Sequence, residues 1–147
     1  GTPGYMAPEM GLGKPDVDWR ADIYALGCVG YWLLTGKPVF DASASPIQSV
    51  MDHIQKSPEL VSARTKAAIP EELDFILLQC LAKEPNERPQ TMQDLAESLR
   101  RIPFANPWTQ ERARRWWLDE GSRRPAAISA SDSAPREVSI ASTAERA

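Results

Sequence analysis

Metal-ligand chemistry has almost nothing to work with in this chain: its 147 residues hold two cysteines, Cys28 and Cys80, and one histidine, His53. A structural zinc site needs four Cys or His ligands in a cluster, and no such cluster is present. The two thiols lie far apart inside apolar stretches, so they read as small buried hydrophobes in a reducing, cytoplasmic setting. Excess positive charge is missing as well. Seventeen Lys and Arg against twenty Asp and Glu leave a net charge of -3, with none of the basic surplus that nucleic-acid binding requires. The longest apolar run, Ile23 to Leu34, falls short of the roughly 20 residues that cross a bilayer. What remains, 42% hydrophobic and 25% charged, is ordinary globular composition with room for one small domain and an appendage.

Gly and Pro punctuate residues 1–20, which read as irregular. The stretch Asp22 to Leu34 is apolar on every side and is therefore expected to be a helix buried all round, headed by Asp22 and stopped by Gly36 with Pro38 beyond. Ser45-Pro46 opens a weaker helix through Ile47, Val50, Met51 and Ile54, and Pro58 begins a loop. Pro70, at the first helical position, with Glu71 and Glu72 favours another start. Leu73, Ile76, Leu77, Cys80 and Leu81 then form a one-sided stripe, each burial contributing about 1.5–3 kcal/mol before entropy. Thr91 and Asp94 are spaced as a capping box ahead of Met92, Leu95, Leu99 and Ile102. Thr109 can cap a short helix carrying Ala113, Trp116 and Trp117, and from Gly121 the composition is that of a disordered tail.

The first nine residues, Gly-Thr-Pro-Gly-Tyr-Met-Ala-Pro-Glu, end in the Ala-Pro-Glu that closes the activation segment of protein kinases. Asp22-x-Tyr24-x-x-Gly27, then Gly36-Lys37-Pro38-Val39-Phe40, then Asn86-Glu87-Arg88-Pro89 follow in the order that family shows. On these motifs residues 1–102 resemble the C-terminal lobe of eukaryotic-like serine/threonine protein kinases of bacterial type, entered within the activation segment. The implied fold class is mainly α: a helical C-lobe fragment of the protein-kinase-like fold. Residues 103–120 form a short Trp/Arg-rich extension, and 121–147 form the tail.

The resemblance assigns roles. Gly1, Thr2, Pro3, Gly4 and Tyr5 match the platform that holds the peptide substrate, with the Thr2 hydroxyl directed at a catalytic aspartate and lysine outside these residues. Glu9 would pair with Arg88, because a planar guanidinium grips a carboxylate with two parallel bonds. Asp22 would bond the backbone of the catalytic loop, although a plain helix cap also accounts for it. Tyr24 stands where many family members have Trp, and Ala25 where many have Ser. ATP and Mg are the cofactors implied for an intact parent. The groups that hold them, a nucleotide-binding lysine, metal-binding carboxylates and a proton-accepting aspartate, match nothing in this chain. Gly11-Leu12-Gly13-Lys14 is no substitute, since its spacing is wrong and Pro15 follows where Ser or Thr belongs.

No catalytic residue is therefore expected here, and neither ATP nor metal is expected to bind the 147 residues alone. Expected partners are protein substrates and the preceding part of the same kinase domain; nucleic acid is not among them. An interfacial membrane helix at Trp108 to Trp117 is disfavoured by Glu111, Asp119 and Glu120. The alternative function is a non-catalytic, pseudokinase-like binding module. Without preceding elements the Asp22–Leu34 helix should expose an apolar patch and leave the fragment marginally stable.

Overall fold

The computed structural model describes residues 2–40, 45–104 and 106–123. They fall in two compact units, residues 1–105 and 106–147. Among the described residues every regular element is helical.

The first unit is built around α2 (Arg20–Thr35) and α5 (Glu71–Cys80), which pack directly against each other. The central core joins Ala21, Tyr24, Cys28 and Tyr31 of α2 to Leu77 and Leu81, with Ala7, Val39 and Val61 closing it from the loops. A second cluster sets Ile23 against Ile76, Cys80, Leu95 and Ile102, which docks α6 (Met92–Arg100). The stripe read from Leu73 to Leu81 is thus core, with only Leu73 half-buried. Both thiols are buried, and burial pushes Cys28 up to about 12 and Cys80 up to about 11.

Local signals place most helix ends. Gly36 closes α2 at φ 68, a left-handed conformation that a side chain disfavours. Ser45 Oγ accepts from Gln48 N–H at 3.1 Å at the start of α3 (Pro46–Gln55). Thr91 and Asp94 complete a reciprocal capping box, Asp serving in the place of the usual Glu.

Six expectations need correction. Helix α2 is not buried all round: Leu26, Val29, Trp32 and Leu33 stand exposed on the face away from the core. Asp22 does not cap it. The helix begins at Arg20, and Asp22 lies exposed in its first turn. Residues 1–20 contain a 3-10 turn, Pro3–Tyr5, and a one-turn helix α1 (Pro8–Gly11), and the loop after Pro58 contains α4 (Val61–Arg64). Pro70 occupies the cap rather than the first helical position of α5. Helix α3 leaves Ile47 and Met51 of its apolar stripe exposed, with Val50 and Ile54 half-buried, and buries Asp52 and His53.

In the second unit Thr109 Oγ1 accepts from Arg112 N–H at the start of α7 (Gln110–Arg123), which runs past the expected end at residue 120. Trp108, Trp116 and Trp117 make edge-to-face contacts, and the Arg112 guanidinium lies 5.6 Å from the Trp108 ring centre. The expected tail, from residue 124 onward, lies outside the described residues.

Candidate functional site: a turn above a buried ion pair

Two prolines shape the first segment. Pro3 presets φ for the 3-10 turn, in which Tyr5 N–H donates to Thr2 O at 3.0 Å and Met6 N–H to Pro3 O at 3.3 Å. Pro8 opens α1, where its missing N–H costs nothing, and Glu9 follows in the first turn. The turn rests on α2 and α3, with Tyr5 half-buried against the core. Thr2 is exposed in front of it, while Gly1 lies outside the described residues.

Glu9 and Arg88 meet as the sequence predicts, across 79 positions. Arg88 Nη1 and Nη2 donate to the two Glu9 carboxylate oxygens at 2.7 Å each, and the two side chains are 0% and 5% exposed. A buried guanidinium must satisfy five N–H groups, and all five are satisfied. The remaining acceptors are Ala82 O (2.9 Å), Arg20 O (2.9 Å) and Lys83 O (3.1 Å). The fork therefore joins α1, the start of α2 and the turn after α5 at one point. Burial is the largest influence and works against the Glu9 charge, but the Arg88 hydrogen bonds, a backbone hydrogen bond and the Arg88 and Lys14 charges together outweigh it and hold the carboxyl below its ordinary 4.5. Arg88 also sits 5.0 Å from the centre of the Tyr24 ring, a cation–π contact.

Asp22 does not join this group: its exposed carboxylate forms no hydrogen bond or ion pair among the described residues. The structure adds two residues that the sequence gave no role, His53 and Lys83, and a contact for Tyr24. The Tyr24 hydroxyl, wholly buried, lies 2.9 Å from His53 Nδ1, and Lys83 Nζ donates to His53 O at 2.6 Å. Burial and the Lys83 charge press the His53 ring down to about 4, and burial lowers Lys83 to about 8. Nothing in the spacing of an isolated histidine announces such a role.

Among the described residues no three of His, Cys, Asp and Glu gather in a way that holds a metal. The polar pocket beside the ion pair, about 140 Å³, sets Glu9, Asp16, Asp18 and Glu84 against Lys14 and Arg20, so it opposes a triphosphate. No described helix is long and apolar enough to cross a membrane.

Comparison with known proteins agrees with this geometry. Residues 1–99 match the protein kinase domain family. The chain is 39% identical over 102 residues to the serine/threonine-protein kinase PknB of Mycolicibacterium smegmatis, covering 69% of this chain and 16% of that protein. It is 38% identical over 107 residues to PknB of Mycobacterium tuberculosis H37Rv, covering 73% and 17%. It is 40% identical over 105 residues to the probable PknB of Corynebacterium glutamicum, covering 69% and 16%. The chain thus spans about a sixth of the length of these curated relatives, and it belongs to the protein kinase family, with its similarity among the serine/threonine kinases.

Proposed function

We propose that this chain is the substrate-holding part of a serine/threonine protein kinase whose intact form transfers the γ-phosphate of Mg-bound ATP to Ser or Thr hydroxyls of proteins. Residues 1–5 are the platform for the peptide beside its phosphoacceptor, and the Thr2 hydroxyl faces the catalytic groups contributed by the rest of the domain. Glu9 and Arg88 support that platform, and Asp22 bonds backbone of the catalytic loop. The 147 residues alone bind no nucleotide and transfer no phosphate. The observation that carries this reading is the buried Glu9–Arg88 fork, which fixes the end of the segment that carries exposed Thr2 to two distant parts of the chain.

The exposed face of α2 supports a second element of the reading. Leu26, Val29, Leu33 and Leu34 border a groove of about 280 Å³ whose far wall is Leu73, Ile76, Leu77, Leu95 and Leu99. Its lining is almost wholly apolar, the chemistry that packs against another hydrophobic element of the same domain rather than against water.

The test compares the full-length parent with the 147 residues. The parent is expected to phosphorylate a Ser/Thr peptide with Mg-ATP, and Thr2→Ala is expected to lower that rate. The isolated chain is expected to give no heat of ATP binding in calorimetry. A micromolar Kd on the isolated chain overturns its inactivity. A parent that binds proteins but transfers no phosphate makes the non-catalytic binding module the better description.

A further inference from the structure

Helix α3 is the element on which the first segment sits, for it packs against both the Pro3–Tyr5 turn and α1. The approach to α1 is close: a side-chain carbon at Gly11 would come 2.6 Å from Val50 Cγ1 and 3.2 Å from Ile54 Cδ1. How α3 is held therefore bears on residues 3–11. An α-helix leaves its last four carbonyls without a partner inside the helix, and their dipole end favours a cation. In α3 the Lys56 N–H takes the Asp52 carbonyl, and the Lys56 ammonium pairs with the Asp52 carboxylate at 2.9 Å. The next carbonyl, His53 O, is satisfied from 30 positions away: Lys83 Nζ donates to it at 2.6 Å. That ammonium also lies 4.9 Å from the Phe40 ring centre, and Phe40 stands edge-on to the His53 ring at 4.9 Å.

We infer that Lys83 is a positioning residue that caps the C-terminal end of α3 from outside the helix and ties that end to the Glu9–Arg88 fork. The tie is a closed circuit of contacts. Arg88 Nη2 donates to the Lys83 carbonyl at 3.1 Å, and the guanidinium lies 5.0 Å from the Tyr24 ring centre. The Tyr24 hydroxyl meets His53 Nδ1 at 2.9 Å, and the His53 carbonyl returns the circuit to the Lys83 ammonium. Arg88 and α3 thus share two intermediaries, the Lys83 chain segment and the Tyr24 side chain. The one basic residue in the last turn of α3 is His53, which burial presses down to about 4 and so keeps neutral at pH 7; the cation bonded to the carbonyl end is Lys83. The consequence for substrate rests on reading residues 1–5 as the platform; the capping role does not.

The experiment compares Lys83→Met, which keeps an unbranched stem beside Phe40 but removes charge and donor, with Lys83→Arg, which keeps both. His53 is the only histidine in the chain, so labelling histidine with ¹³C at the carbonyl gives a single signal. That signal is expected to move upfield in Lys83→Met, as a carbonyl does on losing a donor, and to stay near its place in Lys83→Arg; an unmoved signal in Lys83→Met overturns the inference. Hydrogen exchange at the Lys56 amide, which closes the last turn of α3, is expected to accelerate about tenfold in Lys83→Met and to recover in Lys83→Arg. Equal exchange in all three chains also overturns it. In the full-length parent, Lys83→Met is expected to raise the peptide KM severalfold and leave the ATP KM unchanged, with Lys83→Arg rescuing. A moved carbonyl signal without a change in peptide KM leaves Lys83 as the cap of α3 and rejects residues 1–5 as the platform. If Lys83→Met fails to fold, the unaltered chain decides: the Lys83 ammonium hydrogens are expected to show a through-space contact with the Phe40 ring and slow exchange with water, and exchange as fast as that of exposed Lys37 overturns the inference.

Discussion

Helix α2 presents two faces of nearly the same composition with opposite fates. Ile23, Tyr24, Cys28 and Tyr31 are 0–1% exposed, while Leu26, Trp32 and Leu33 are 45%, 46% and 68% exposed. Apolar side chains on both faces favour leaving water, but burial needs a partner surface, which α5, α6, α4 and the loops supply to one face. The buried face also carries a polar residue, Tyr24. Tyr24 contacts both Arg88 and His53, so the face closest to the core meets the Glu9–Arg88 fork and the buried histidine of α3. One face is finished chemistry and the other is an open surface. Hydrophobicity alone does not separate them.

The largest expected effect removes the polar device from the finished face. Arg88→Ala leaves the Glu9 carboxylate buried without its partner and is expected to cost about 3–5 kcal/mol in denaturant unfolding. Arg88→Lys is expected to recover only part, because an ammonium cannot make two parallel bonds and still reach Ala82, Arg20 and Lys83 carbonyls. A lysine variant as stable as the unaltered chain would show that charge, and not the fork, is what matters.

Packing on the same face is tested by Gly27→Ala. The added Cβ meets Cys80 Cβ at 2.7 Å and Leu81 side-chain atoms at 3.3 Å, so α2 and α5 must separate, with an expected cost of about 1–3 kcal/mol. Gly30→Ala meets only the flexible end of Leu77 at 2.8 Å and is expected to cost less. Equal losses at the two positions would indicate a looser helix pair than the structure describes.

Acid should weaken the finished face before it affects the open one. His53 is held at about 4, below its ordinary 6.5, by burial first and then by Lys83, with Asp52 and the Gly4 backbone opposing. A depressed histidine binds its proton more readily when unfolded, so its contribution is whole above pH 6.5 and declines as pH falls toward 4. Glu9, also lowered, keeps its contribution above its ordinary 4.5 and loses it below its own depressed value. Unfolding free energy measured from pH 7 to 4 is expected to fall, and His53→Gln is expected to flatten that slope. An unchanged slope would assign the acid sensitivity to other groups.

The smallest stability change is expected on the open face. Leu33→Lys, at a position 68% exposed, should alter unfolding by no more than about 0.5 kcal/mol. Dye binding and self-association of the isolated chain should nevertheless drop, because the substitution places a charge beside the apolar groove. A large stability loss would mean that the face is covered after all.

The residues most legible in the sequence were those whose partners are local or whose chemistry admits one partner. Gly36, Ser45 and the Thr91–Asp94 box mark helix ends because capping is settled within three or four residues. The Glu9–Arg88 pair is long-range, yet the motifs on either side of each residue identified it. Asp22 misled as a cap, because Asp18 and Trp19 carry the chain into the helix earlier: Asp18 Oδ1 accepts from Arg20 N–H at 2.9 Å. Helix α3 misled through periodicity, which locates an apolar stripe but does not say whether a neighbour comes to cover it.

Sequence by itself determined the helical class, the helix stops and the apolar character of α2 and α5, because each follows from backbone propensity or periodicity that travels with the residue; the pairing of Glu9 with Arg88 was legible only through the family motifs around them. Tertiary structure alone decided which face of α2 is core, that a lone histidine is buried beside the Tyr24 hydroxyl, and that the same tyrosine also meets Arg88. Those outcomes depend on which groups distant in the chain arrive at one place and exclude water there. Only in that dry setting do a single hydroxyl and a single imidazole have to satisfy each other.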